Sequence, residues 1–157
     1  MADVFTKRQR SAIMKRVHGR GNKATEVALT KLFRRHGITG WRRHKRVFGK
    51  PDFIFPEIKF AVFVDGCFWH VCPWHSSIPL NNRRFWMRKL DANRQRDALV
   101  SRTLRERGWY VLRLWGHEFS KKNEVRLLER IRRAMQRANM VSCRTPPKPG
   151  APAGFAK

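Results

Sequence analysis

The amino-acid sequence predicts an α/β domain built on one mixed central sheet flanked by helices. Two patterns carry this expectation. Apolar residues recur at helical spacing in some stretches, while short β-branched and aromatic runs bounded by Gly and Pro occupy others. Their order along the chain is helix, three strands, helix, strand, helix. The 157 residues are 41% hydrophobic, enough for one core and no more than one ordinary domain.

Residues 1–21 are basic with scattered apolar positions, Ile13, Met14 and Val17, whose spacing fits a short helix, and they are expected to form a nucleic-acid-binding arm. From Asn22, an N-cap residue type, Val27, Leu29, Leu32 and Phe33 repeat at helical spacing until Gly37 stops the helix. Three strands are expected next, in WRRHKRVF (41–48), DFIF (52–55) and KFAVFVD (59–65). The last is apolar from Phe60 to Val64, as a central strand covered on both faces would be. After the loop SSIPLNN, about 25 residues without Gly or Pro carry Trp86, Leu90, Ala98, Leu99 and Leu104 on a basic background. They predict a long helix with a cationic face, ending at Gly108. WYVLRLW (109–115) predicts the fourth strand and VRLLERIRRAMQRA (125–138) a final amphipathic helix. The folded domain is thus expected over 22–140, followed by a disordered Pro/Gly-rich tail over 141–157.

Thirty-six Lys and Arg against eleven Asp and Glu give a formal charge of +25, which no core requires and which a polyanion would reward through counterion release. Nucleic acid is the expected partner. The sequence has no 18-residue apolar run, signal-peptide core or lipidation motif, so a cytoplasmic protein with no membrane role is expected. Three cysteines, two of them beside histidines, argue for metal ligation over a disulfide framework.

With acids so scarce, three invite a chemical reading. Asp52 opens the second strand and Asp65 ends the third. If those strands pair, both carboxylates fall at one sheet edge and could hold a divalent cation against a phosphodiester, with Glu26 of the first helix as a third member. Singly, each could equally cap a turn, end a strand or favour a helix N-terminus. This arrangement resembles the core of the PD-(D/E)XK nucleases, except that Cys67 stands where their lysine would follow the second acid. His70 lies nearby and could orient or deprotonate an attacking water.

Cys67, Cys72 and His75 offer metal ligands at local spacing, and His117 follows the fourth strand. Four such ligands suit a tetrahedral structural zinc, with His70 able to replace His75 in the set. Phe68, Trp69 and Trp86 read either as core or as groups that stack on or wedge between bases.

At the level of motifs the chain is similar to the very-short-patch repair (Vsr) endonuclease family. The similarity rests on the MADV start, RSAIM ending at Met14, GKPDF, VDGCFWH, Phe85-Trp86 with Lys89 and Asn93 beyond it, the Arg96-Asp97 pair and GWYVLRLW. It runs from the N-terminus to about residue 118. The resemblance implies a restriction-endonuclease-like fold and magnesium-dependent nicking of one strand of duplex DNA beside a T:G mismatch left by deamination of 5-methylcytosine. It implies a catalytic magnesium on Asp52 with Glu26 in support, and a water activated by His70. It also implies a structural zinc on Cys67, Cys72, His75 and His117. Phe68, Trp69 and Trp86 would intercalate, and Met14, Lys89 and Asn93 would touch the mismatched pair. Asp65 stands where the best-known pattern has a histidine, which leaves open whether it acts as base or metal ligand. A monomer acting at the bacterial nucleoid, alone or with other repair proteins, is the expected form. Two rivals stand beside this reading: a zinc-stabilised DNA-binding module without catalysis, and a basic RNA-binding protein.

Overall fold

Helix α1 (Glu26–Arg35) opens the computed structural model of the chain, which describes residues 25–144 together with Arg8. The expected N-terminal helix, its Met14, the Asn22 cap and the tail beyond Arg144 lie outside the described residues. Strands β1 (Arg42–Arg43), β2 (Phe53–Phe55) and β3 (Phe60–Asp65) follow, then helix α2 (Arg83–Glu106) and strand β4 (Tyr110–Trp115). Short 3-10 turns at Gly116–Phe119 and Lys121–Asn123 lead into helix α3 (Glu124–Arg144). Helix α3 therefore runs four residues past the expected boundary at 140.

Two glycines end helices for the reason the sequence suggests. Gly37 and Gly108 adopt φ of +64° and +79°, where a Cβ is strained. After each, the chain closes a Schellman turn: Ile38 N–H donates to Phe33 O at 2.9 Å, and Trp109 N–H to Leu104 O at 2.9 Å. The first expected strand, by contrast, shrinks from eight residues to Arg42 and Arg43. His44, with φ of +55°, turns the backbone out of the pleat, and the exposed Lys45 and Arg46 that follow bring no apolar face to bury.

The sheet order is β1-β2-β3-β4, antiparallel except for the β3–β4 pair, which is parallel and connected through α2. Alternation along the strands sends side chains to two faces. On one, Phe53, Phe55, Phe60, Val62, Leu112 and Leu114 pack under α1 and α3 against Leu29, Phe33, Leu127 and Ile131. On the other, Ile54, Ala61, Phe63 and Val111 meet Val100 and Leu104 of α2. β3 is thus covered on both sides, as its unbroken apolar run predicts. Helix α2 buries only Leu90, Asn93, Val100, Ser101 and Leu104 of its 24 residues, leaving Arg83, Arg84, Arg88, Lys89, Arg94 and Arg96 exposed. No helix among the described residues is long and apolar enough to cross a membrane.

Candidate active site and metal cluster

The antiparallel register pairs Phe53 with Val62, so Asp52, one residue earlier, lies beside the C-terminal end of β3. Its N–H donates to Val62 O at 3.1 Å, and its Oδ2 accepts from Val64 N–H at 2.7 Å. Burial is the main force pushing its pKa up from 3.8 to about 6. The charges of Glu26 and Asp65 push the same way, while the Val64 N–H and Arg43 oppose them. The three acids singled out in the sequence therefore feel one another at one sheet end. Glu26, 5% exposed, is ion-paired with Arg43. Asp65, 4% exposed, accepts two bonds from Arg113, Nε to Oδ2 at 2.6 Å and Nη2 to Oδ1 at 2.8 Å.

His70 arrives on the turn after β3, fixed by its N–H bond to Gly66 O at 3.1 Å. Its Nδ1 lies 2.5 Å from Asp97 Oδ2 on α2 and 3.6 Å from Asp65 Oδ1. Asp97 Oδ1 in turn lies 3.0 Å from Arg113 Nη2. An imidazole held at Nδ1 by a carboxylate presents Nε2 as a proton acceptor, the arrangement a general base needs. No role was expected for Asp97 or Arg113. Both carried a signal: Asp97 is one of eleven acids and sits in a run of arginines, and Arg113 interrupts an apolar strand.

The parallel register of β3 and β4 sets Asp65 opposite Trp115, so Cys67 and His117, each two residues further on, leave the sheet side by side. A turn closed by Cys72 N–H to Cys67 O at 2.9 Å folds the second cysteine back onto them. The donor atoms of Cys67, Cys72, His75 and His117 all lie within 4.8 Å of one another. His75, for which His70 stood as an alternative, is in this group, whereas His70 faces the acids. Burial pushes the Cys67 thiol up, with Cys72 adding to it. A bound cation would reverse that preference, and the set could hold a tetrahedral metal ion.

Phe68 and Trp69 project from the same loop toward Trp86 near the start of α2. Ring centroids are 5.1 Å apart for Phe68–Trp69, 5.2 Å for Phe68–Trp86 and 5.9 Å for Trp69–Trp86. All three are half-buried and belong to neither of the two core clusters. Lys89 is exposed on α2. Asn93 is not: 6% exposed, it donates to Trp69 O at 3.0 Å and accepts from Arg96 Nη2 at 3.1 Å, tying the aromatic loop to α2.

Comparison with known proteins agrees with this geometry. Residues 2–76 match the family described as DNA mismatch endonuclease Vsr. A type II nicking enzyme of Lentzea aerocolonigenes is 52% identical over 69 residues, 44% of this chain, and the match spans only 42% of that relative's length. The type II nicking enzyme of Neisseria meningitidis serogroup C is 38% identical over 136 residues, 85% of this chain and 90% of that protein. The DNA mismatch endonuclease Vsr of Escherichia coli K12 is 34% identical over 116 residues, 73% of this chain and 74% of that one. With two relatives above 30% identity covered over 90% and 74% of their own lengths, the chain belongs to the Vsr family of DNA mismatch endonucleases.

Proposed function

We propose that this chain nicks one strand of duplex DNA next to a T:G mismatch by magnesium-dependent hydrolysis, leaving a 5′-phosphate and a 3′-hydroxyl and so initiating very-short-patch repair. The observation that carries the reading is the meeting, at one sheet end, of the half-buried Asp52 and the His70–Asp97 pair, beside an aromatic cluster and a cationic helix.

Asp52 suits magnesium, being a hard oxygen donor whose charged form burial disfavours until a cation arrives. With Oδ2 anchored by Val64 N–H, its Oδ1 remains for the ion. Magnesium held there would supply charge stabilisation for the phosphoryl oxygens in the transition state. Glu26 holds Arg43 beside Asp52 and adds to the negative field. His70 takes a proton from the attacking water at Nε2 while Asp97 fixes Nδ1–H, so the ring keeps the tautomer the step requires.

The Cys/His cluster fits zinc. Ligands at 2.3 Å for sulfur and about 2.05 Å for nitrogen place sulfur and nitrogen about 3.6 Å apart along a tetrahedron's edge. Here Cys67 Sγ to His117 Nδ1 is 3.3 Å, Cys72 Sγ to His117 Nδ1 3.6 Å and Cys72 Sγ to His75 Nδ1 3.7 Å. Zinc would pin the loop that carries His70, Phe68 and Trp69 to the end of β4.

Phe68, Trp69 and Trp86 insert beside the target pair, where a wobble mispair makes the step cheaper to open. Lys89, and Met14 of the N-terminal arm, contact the mismatched bases. Asn93 positions the wedge through Trp69.

The test is incubation of the purified chain with a T:G duplex and magnesium, read on a denaturing gel. Nicking by the wild type, lost in Asp52→Ala with binding kept, is expected. Binding without nicking would instead favour a non-catalytic module, and wild-type rates in Asp52→Ala would remove Asp52 from the site. One equivalent of zinc should persist through gel filtration and be lost in Cys72→Ala.

A further inference from the structure

Arg113 is an anomaly within β4. It pairs in register with Phe63, and its guanidinium carbon lies 4.8 Å from the Phe63 ring centroid, on the face otherwise filled by Ile54, Ala61, Val100 and Val111. A charge there is tolerated only with complete compensation. That compensation comes from three side chains. Nε and Nη2 fork the two oxygens of Asp65, Nη2 also reaches Asp97 Oδ1 at 3.0 Å, and Nη1 lies 3.4 Å from Ser101 Oγ. Since Arg113 occupies Oδ1 of Asp97, its Oδ2 is the oxygen turned to His70 Nδ1.

We propose that Arg113 is a positioning residue for His70, acting through Asp97, and that Asp65 is the counter-charge that holds Arg113 in place. The inference rests on the reading that His70 takes the water proton. Asp97 lies on a helix with the exposed Arg94 three residues before it, so without Arg113 its carboxylate loses the partner that holds Oδ1 and can turn away from the imidazole. A rigid strand supplying a forked donor removes that freedom. Both Asp65 oxygens are bound by one guanidinium, so a base or metal-ligand role for Asp65 would first require breaking a bidentate pair.

A double-mutant cycle tests this. Arg113→Met alone leaves the buried Asp65 without its guanidinium, with only His70 Nδ1 at 3.6 Å as a partner, and is expected to lower the melting temperature. Adding Asp65→Asn removes that charge and should restore stability, zinc content and affinity for a T:G duplex. The positioning role requires that the nicking kcat of the double variant stay down ten- to a hundredfold at unchanged KM, with Asp65→Asn adding no further loss. Arg113→Lys, which keeps the charge but not the fork, should fold normally and show an intermediate kcat, giving the measurement even if the double variant does not fold. Wild-type kcat in the double variant or in Arg113→Lys would overturn the proposal. So would a further loss of similar size on adding Asp65→Asn, which would mean that Asp65 acts on its own. His70→Ala is the control: wild-type nicking by that variant would sink the underlying reading of His70, whereas an inactive His70→Ala beside a fully active double variant sinks only the part assigned to Arg113.

Discussion

Under α1 and α3 the sheet meets a core of fifteen buried apolar residues, whereas under α2 the apolar cluster has six. The rest of the α2 side goes to Asp65, Arg113, Asp97, Ser101 and His70, linked by hydrogen bonds and ion pairs. The same strands build both faces, and alternate residues of β3 and β4 take part in each. A continuous apolar layer on one side is what allows a buried ionic network on the other. Such a network contributes little net stability, because the desolvation of its charges offsets their attraction. The α2 side can therefore be shaped by chemistry while the opposite side keeps the chain folded.

The contrast is broken most severely from the apolar side. Phe33 is fully buried and packs edge-on to Phe53 and Phe55, with centroids 5.4 and 5.7 Å away. Phe33→Ala should cost about 3–5 kcal/mol in a denaturant titration. The nicking rate per folded molecule should stay close to wild type. A rate loss larger than the loss of folded fraction would mean that the two faces are not separable.

Next in size is the reverse experiment. Asp97→Asn keeps the shape but presents His70 Nδ1 with a neutral partner, so single-turnover nicking should fall about a hundredfold, equivalent to about 3 kcal/mol. Its unfolding midpoint should move far less than that of Phe33→Ala. Equal stability losses in the two variants would show that the α2 face is structural after all.

Trp69→Ala sharpens the comparison by separating recognition from both. Stacking of one base on an aromatic ring is worth roughly 1–3 kcal/mol, so affinity for a T:G duplex should drop about ten- to a hundredfold. Affinity for the matching T:A duplex should fall much less, since phosphate contacts made by the cationic α2 would be common to both. Equal losses on the two duplexes together with a lowered melting temperature would place Trp69 in the fold and not in the wedge.

The smallest effect is the dependence of stability on pH. Asp52 binds its proton more tightly folded, at about 6, than unfolded, at 3.8, so its charged form works against folding above pH 6. That cost is relieved as pH falls through 6 towards 3.8. Without divalent metal, Asp52→Asn should be more stable than wild type at pH 8 by on the order of 1–2 kcal/mol, allowing for solvent screening. The difference should shrink as the pH is lowered, and magnesium should narrow it at pH 8. A difference independent of pH would show that burial does not penalise the Asp52 charge.

The sequence by itself determined the order of elements and most of their limits. Gly37 and Gly108 mark helix ends by allowing a positive φ, the run from Phe60 to Val64 marks a strand buried on both faces, and α2 is marked by a long stretch free of Gly and Pro. It also singled out Asp52 and His70 as candidates for chemistry, and Cys67, Cys72 and His75 as candidate metal ligands within nine residues, because local spacing limits what those side chains can reach. What only the tertiary structure decided depends on strand register and on which face each residue takes. The parallel alignment of Asp65 with Trp115 brings His117 to the cysteines, and it is loop geometry that puts His75 in that group and His70 among the acids. The short β1 depends on a single left-handed residue, His44, that carries no glycine to announce it. Asp97 and Arg113 stand 27 and 43 residues beyond His70 in the chain, and Asn93, expected from the resemblance to touch the mismatched pair, is buried against Trp69 O. No periodicity relates these positions to the loop. They meet it because α2 crosses back over the sheet and β4 lies parallel to β3, so a buried charge, an acid and an imidazole from three separate elements come to share one set of hydrogen bonds.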